Sequence, residues 1–160
     1  MITLQPVFAG DPFALHPALL TIWPEPSLAR ARHDTVESLL DFDDEDFGAI
    51  FLIFQHGEVV GITGYYWYDD IGIELGLRWH GVLPAVRGIG LSAAVIDLLL
   101  HEIRSQQPAA TTLIELIPDT DYSAALRRHF TRLGFRSVGP LERYDWSDYA
   151  WQPYHLTIVR

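Results

Sequence analysis

Residues Arg87-Gly88-Ile89-Gly90-Leu91-Ser92 follow a strand-like run over residues 73–83 and lead into a segment with helical periodicity. A glycine-bearing turn between a strand and a helix gathers unpaired backbone N–H groups and the positive end of a helix dipole at one point, and such a point binds anions. Gly88 and Gly90 carry no side chain that would keep a diphosphate from those groups, Ser92 is small, and Arg87 adds a planar cation. The pattern is not the dinucleotide fingerprint, whose third glycine position here holds Ala93 or Ala94, and a P-loop lysine is missing. Just upstream, period-two alternation puts Glu74, Gly76, Arg78, His80 and Val82 on one face and Ile73, Leu75, Leu77 and Trp79 on the other. Glu74 and His80 are ionisable groups on that polar face, and the intrinsic pKa of histidine suits proton transfer near neutral pH. The plainer reading of each is a strand residue in solvent or satisfied by Arg78.

At 160 residues the chain is expected to form a single domain over 1–160. With 49% apolar and 12% aromatic residues it can bury enough surface to offset its ordering entropy. All 11 basic residues are arginines, which excludes a Schiff-base lysine, and the lack of cysteine excludes disulfides and a thiol nucleophile. A net charge of −10 argues against nucleic-acid binding and mildly favours cationic small molecules or basic peptides. The seven histidines show no metal-ligand spacing, so no metal is expected. No signal-peptide pattern and no window of about 18 apolar residues is present, so a cytoplasmic, non-membrane protein is expected.

The elements that must hold these residues follow from periodicity. Residues 2–8, 49–55, 58–68, 73–83 and 111–117 read as strands, with a hairpin turn at His56-Gly57 and a second turn over Asp69-Asp70-Ile71-Gly72. Residues 14–23 and 27–40 have helical spacing around Trp23-Pro24-Glu25-Pro26-Ser27, and the acidic run 41–46 reads as a surface loop. Residues 91–104 form a helix with Leu91, Ala94, Val95, Leu98 and Leu99 on one face and His101 at the surface. A later helix starts at Asp121 or Ser123 and stops at Gly134. Residues 135–146 and 154–159 complete the set as two strands. Tyr65-Tyr66-Trp67-Tyr68 must alternate across the sheet, so one pair belongs to the core while the other can wall a pocket or stack on a cation.

With these residues in view, the chain resembles the GNAT superfamily of acyl-CoA N-acyltransferases. Its cofactor motif, Arg or Gln, two residues, Gly, one residue, then Gly or Ala after a strand ending in Val-x-Pro, is matched by residues 82–92, with Ser in the last small position. Leu133-Gly134-Phe135 matches the family's later Leu-Gly-Phe signature, and the order of elements fits from Ile2 to about Phe135. The resemblance implies an α/β (α+β) fold: a mixed, mostly antiparallel central sheet of about seven strands flanked by about four helices. It implies transfer of an acetyl group from acetyl-CoA, as co-substrate, to a primary amine of a small molecule or peptide, by direct attack on the thioester. Backbone N–H groups of Val86, Arg87, Gly88, Ile89, Gly90, Leu91 and Ser92 would cradle the pyrophosphate. Val82 and Leu83 would pair with the pantetheine arm, and an N–H near Val82 would polarise the thioester carbonyl. Glu74 is the first choice for the base, with His80 second. The position where the family commonly places a tyrosine acid is Phe130, which cannot donate a proton; Tyr122 or another hydroxyl substitutes, or the thiolate leaves unaided. Trp23, Glu25 and Tyr66 are expected around the acceptor, and a homodimer is a common assembly in the family. The alternative is a noncatalytic acyl-CoA-binding or regulatory module on the same fold.

Overall fold

The structure, a computed structural model, describes residues 1–8, 21–22, 48–145 and 147–159. In chain order the described elements are β1 (Ile2–Pro6), β2 (Ala49–Gln55), β3 (Glu58–Trp67), β4 (Glu74–Leu77), β5 (Gly81–Val82), a 3-10 turn (Pro84–Val86) and α1 (Leu91–Gln106). They continue with β6 (Thr112–Pro118), a 3-10 turn (Asp121–Ser123), α2 (Ala124–Arg132), β7 (Arg136–Ser137), β8 (Glu142–Arg143) and β9 (Ala150–Thr157). The architecture is mixed α/β with mostly antiparallel pairing, as expected. Among the described residues the strand count is nine, not about seven, because the run 73–83 and the tail are each subdivided. Two α-helices lie among the described residues; the other two expected helices, 14–23 and 27–40, fall outside them, as does the acidic run 41–46.

Contacts divide the chain into two compact units, the first comprising Met1–Tyr66 and Arg78–Glu102. Here β1, β2 and β3 pair antiparallel in sequence order, and β5 joins β3. The hairpin at His56-Gly57 is as expected, with φ of 55° and 87°, the left-handed pair that matches the twist of adjoining strands. The β2–β3 ladder holds one irregularity: Phe54 faces Val59 and Ile53 faces Gly61, so Val60 is an extra residue. One side of the sheet gathers Val7, Ile22, Ile50, Leu52 and Ile62 in a core, while Ile53 and Val60 pack on the other side with Leu91 and Val95 of α1. Each fully buried side chain of this size contributes roughly 1.5–3 kcal/mol. The buried stripe of α1 comprises Leu91, Val95, Ile96, Leu99, Leu100 and Ile103, shifted from the five-residue face expected, with Ala94 and Leu98 half-buried and His101 exposed. Gly61 is fixed by close approach, because a Cβ there would run into the carbonyl oxygen of Gly81 and lie 3.0 Å from the Val82 Cα.

The second unit comprises Trp67–Leu77 and Ile103–Arg160. In it β4 runs parallel to β6, β6 pairs antiparallel with β9 from Thr112↔Thr157 to Pro118↔Trp151, and β7 and β8 each pair with β9. Two expectations about the tail are corrected: strand structure over 135–146 shrinks to β7 and β8, and the last strand starts at Ala150 rather than Tyr154. Gly139 at φ 71° and Pro140 break the first of these runs. Phe130, the buried residue of α2, meets Phe135 edge-on at 5.2 Å. Gly134, at φ 98°, lets the chain reverse so that the Phe135 N–H donates to the Phe130 carbonyl at 3.1 Å and closes the helix.

Candidate active site

The strand expected to run unbroken over residues 73–83 ends at Leu77, and a new two-residue strand begins at Gly81. Trp79, at φ 51°, occupies the left-handed region that large side chains rarely adopt, and this overturns simple alternation from Glu74 to Val82. In the first unit the Leu83 N–H donates to the Val60 carbonyl at 2.8 Å, the carbonyl of the extra residue in the ladder. Polar groups of successive residues in an antiparallel strand point to opposite sides, so those of Val82 point away from β3.

Arg87 lies close to this strand end. Its Nε donates to the Val82 carbonyl at 3.2 Å and its Nη2 to the Ile22 carbonyl at 2.5 Å. The guanidinium therefore braces two backbone segments and occupies the Val82 acceptor. The chain between is wound tightly, with Val86 N–H on the Leu83 carbonyl (3.0 Å) and Arg87 N–H on the Pro84 carbonyl (3.3 Å). Gly88 and Gly90 follow at φ 80°, a conformation that suits glycine, and a Cβ on either would meet no atom within 4 Å among the described residues. Among the described residues the outer side of the loop is thus open. Ile89 is exposed, Leu91 is buried as an anchor, and the first N–H groups of α1 lack the carbonyl four residues back that interior positions use. These residues fit the diphosphate of a coenzyme: the loop offers donors, space and a helix N-terminus.

His80, on the same unit, lies between two hydroxyls, with Nδ1 3.1 Å from Thr63 Oγ1 and Nε2 2.6 Å from Ser92 Oγ. Tyr66 is half-buried; its phenol favours the charge of Arg78, whose pKa is lowered chiefly by desolvation. The Arg78 guanidinium carbon stands 6.0 Å from the centre of the Trp79 ring. In the aromatic run, Tyr65 is buried, Tyr66 and Tyr68 are half-buried and Trp67 is exposed, so the expected core pair is a single residue. The run ends where β3 does, which frees Trp67 from the sheet interior.

Glu74 belongs to the second unit. Its backbone is fixed on both edges: it faces Thr112 in the β4–β6 ladder, its N–H donates to Asp69 Oδ2 at 3.1 Å, and its carbonyl accepts from the Tyr68 N–H at 2.9 Å. The other Asp69 oxygen takes the Ile73 N–H at 3.0 Å, so the expected turn over 69–72 is tied by one carboxylate. Beside it stands a cluster absent from the sequence reading. The Tyr68 hydroxyl lies 3.2 Å from Glu142 Oε2 and 3.1 Å from the Tyr144 hydroxyl, and Tyr144 donates a short hydrogen bond to the same Glu142 oxygen. Desolvation raises both phenol pKa values, and the charges of Glu142 and Glu74 add to the rise at Tyr68, so both phenols stay protonated. Tyr122 lies in the 3-10 turn before α2, and Phe130 is enclosed, with His129 and Phe135 at its edges. Trp23 and Glu25 lie outside the described residues.

Glu115 is the other residue that sequence reasoning passed over, although a lone carboxyl in the apolar run 111–117 is itself a signal. It pairs with Tyr154 across β6 and β9; part of its surface is accessible, yet desolvation by the surrounding protein pushes its carboxyl up to about 8. Since the folded pKa exceeds the unfolded value, the folded state holds the extra proton between roughly pH 4.5 and 8, and stability falls as pH rises across that window. Glu115→Gln is therefore expected to flatten the decline in urea midpoint between pH 5 and 8; a midpoint that falls as steeply in the variant would assign the decline to other groups. Among the described residues no three His, Asp or Glu side chains converge to hold a metal, and no helix is long and apolar enough to cross a membrane.

The Acetyltransferase (GNAT) family profile matches residues 14–135, and the chain belongs to that family. Similar solved structures share its fold at low identity. A GNAT-family protein from Desulfovibrio desulfuricans superposes at a TM-score of 0.76 with 17% identity, covering 99% of this chain and 100% of its own. The ribosomal-protein-S18-alanine N-acetyltransferase of Escherichia coli gives 0.70 and 17%, covering 100% and 96%. An aminoglycoside acetyltransferase in complex with coenzyme A gives 0.71 and 15%, covering 98% and 95%. No curated protein matches the sequence.

Proposed function

We propose that this chain is an acetyl-CoA-dependent N-acetyltransferase acting on a primary amine of a small molecule or peptide. The observation that carries the reading is the loop at Gly88 and Gly90, open on its outer side among the described residues and followed by the N-terminus of α1. Its N–H groups would bind the diphosphate of acetyl-CoA, whose thioester supplies the acetyl group. With Arg87 on the Val82 carbonyl, the Val82 N–H is the polar group of that residue left to meet the thioester oxygen as negative charge develops there.

The amine nitrogen attacks the carbonyl carbon, the C–N bond forms and the C–S bond breaks. Glu74 takes the proton released by the amine, with His80 the second candidate for that role. The departing thiolate takes a proton from solvent or from a hydroxyl such as that of Tyr122. The net charge of −10 favours a cationic acceptor, which Tyr66, Trp23 and Glu25 would border. Two of the similar proteins carry amine acceptors in their names, an aminoglycoside and the alanine of a ribosomal protein.

A second reading, an acyl-CoA-binding module without turnover, draws on one observation: Phe130 is buried where a proton donor is common in the family. Calorimetric titration with acetyl-CoA, followed by thiol release over a panel of amines, separates the two. Micromolar binding with release supports the enzyme, binding without release supports the module, and no binding removes both. In the same titration Arg87→Ala is expected to weaken binding roughly tenfold, the effect of losing charge-assisted hydrogen bonds that brace the loop. Unchanged affinity would show that the backbone cradle suffices.

A further inference from the structure

The side chain of His80 joins two elements that both bear on the cofactor loop. Thr63, wholly buried, lies on β3 one residue beyond Ile62, which pairs with Gly81, while Ser92 stands in the first turn of α1, two residues after Gly90. A neutral imidazole has one donor and one acceptor nitrogen, and a hydroxyl can play either part, so both contacts are satisfied in either tautomer. At 2.6 Å the Ser92 contact is the tighter of the two. To act as a general base, His80 must release a lone pair already directed at a hydroxyl. As a brace it acts as it stands.

We propose that His80 is a positioning residue, whose imidazole ties the buried Thr63 hydroxyl to Ser92 and so fixes the start of α1 and the N–H groups of residues 88–92 for an incoming diphosphate. The inference gives His80 a role other than that of second candidate base. Its consequence for cofactor binding rests on the acetyl-CoA reading above; its consequence for the loop does not. Trp79 explains how the ring comes to lie there: its left-handed backbone breaks the alternation that would otherwise aim residue 80 along the face of Glu74.

Three variants test it, through hydrogen–deuterium exchange over residues 88–94 in the free protein, acetyl-CoA affinity by calorimetry, and the pH profile of kcat. His80→Phe keeps the ring and removes both nitrogens, so exchange should quicken and acetyl-CoA should bind roughly tenfold more weakly, the loss expected for one to two hydrogen bonds. His80→Gln reaches Ser92 with its amide and should restore most of both, although it cannot titrate. Ser92→Ala breaks the contact from the other side without disturbing the ring, and combined with His80→Phe it should add little. The proposal is overturned if His80→Phe and His80→Gln leave affinity and exchange alone while both abolish turnover and the rise of kcat with pH, the pattern of a base. Should the parent protein bind no acetyl-CoA, the acetyltransferase reading fails, and exchange decides the brace by itself: faster in His80→Phe and restored in His80→Gln, it stands; unaltered in both, it falls.

Discussion

Glu74→Gln is expected to lower kcat roughly 10²- to 10⁴-fold, the usual contribution of a positioned proton acceptor, while acetyl-CoA affinity stays as it is. Glutamine keeps the length and shape of the side chain, and the backbone at this position is held on both edges, by Asp69 and Tyr68 and by the ladder to Thr112. Loss of turnover would therefore report proton transfer, not a displaced strand. A variant that turns over normally with an unaltered pH profile would show that the amine proton leaves by another route.

Phe130→Ala is expected to cost about 3–5 kcal/mol of stability, read as a lower urea midpoint at unchanged slope. Phe130 is the buried residue of the nine-residue α2 and stands edge-on to Phe135, itself fully buried, so truncation empties a site bounded by rigid neighbours. A cost under 1 kcal/mol would mean that α2 settles into the void and that the contact with Phe135 contributes little. This also bears on function, since a side chain that stable packing requires is a poor place to introduce a proton donor.

The strands that read clearly in sequence are those whose local chemistry agrees with their tertiary setting. His56-Gly57 between two β-branched runs forms the expected hairpin because both residues tolerate positive φ, and Leu133-Gly134-Phe135 ends α2 for the same reason. The Gly88 and Gly90 loop was legible as well, since glycine spacing before a helical period is a local signal. The break at Trp79 was hidden because tryptophan in the left-handed region runs against its preference, and its packing against the core of the first unit is a long-range contact that no local pattern reveals. The roles of Arg87 and His80 were invisible for another reason: their partners lie far off in the chain, Ile22 at 65 residues from Arg87 and Thr63 at 17 from His80. The group at Tyr68, Glu142 and Tyr144 spans 76 residues and has no spacing to detect. Glu115 could have been singled out, but a lone glutamate within a strand reads equally well as an exposed one.

The brevity of β5 has a consequence for how the protein behaves in concentrated solution. Among the described residues β5 pairs with β3 alone, over Gly61↔Val82 and Ile62↔Gly81, and its outward carbonyl at Val82 is covered by the Arg87 guanidinium. A foreign strand needs a run of alternating donors and acceptors to add itself to a sheet, and a two-residue edge with its acceptor already occupied offers almost none. An extended small molecule needs only a donor or two. The same guanidinium, beside the N–H proposed above to meet a thioester, thus closes this edge to the backbone of a neighbouring chain and guards it against aggregation.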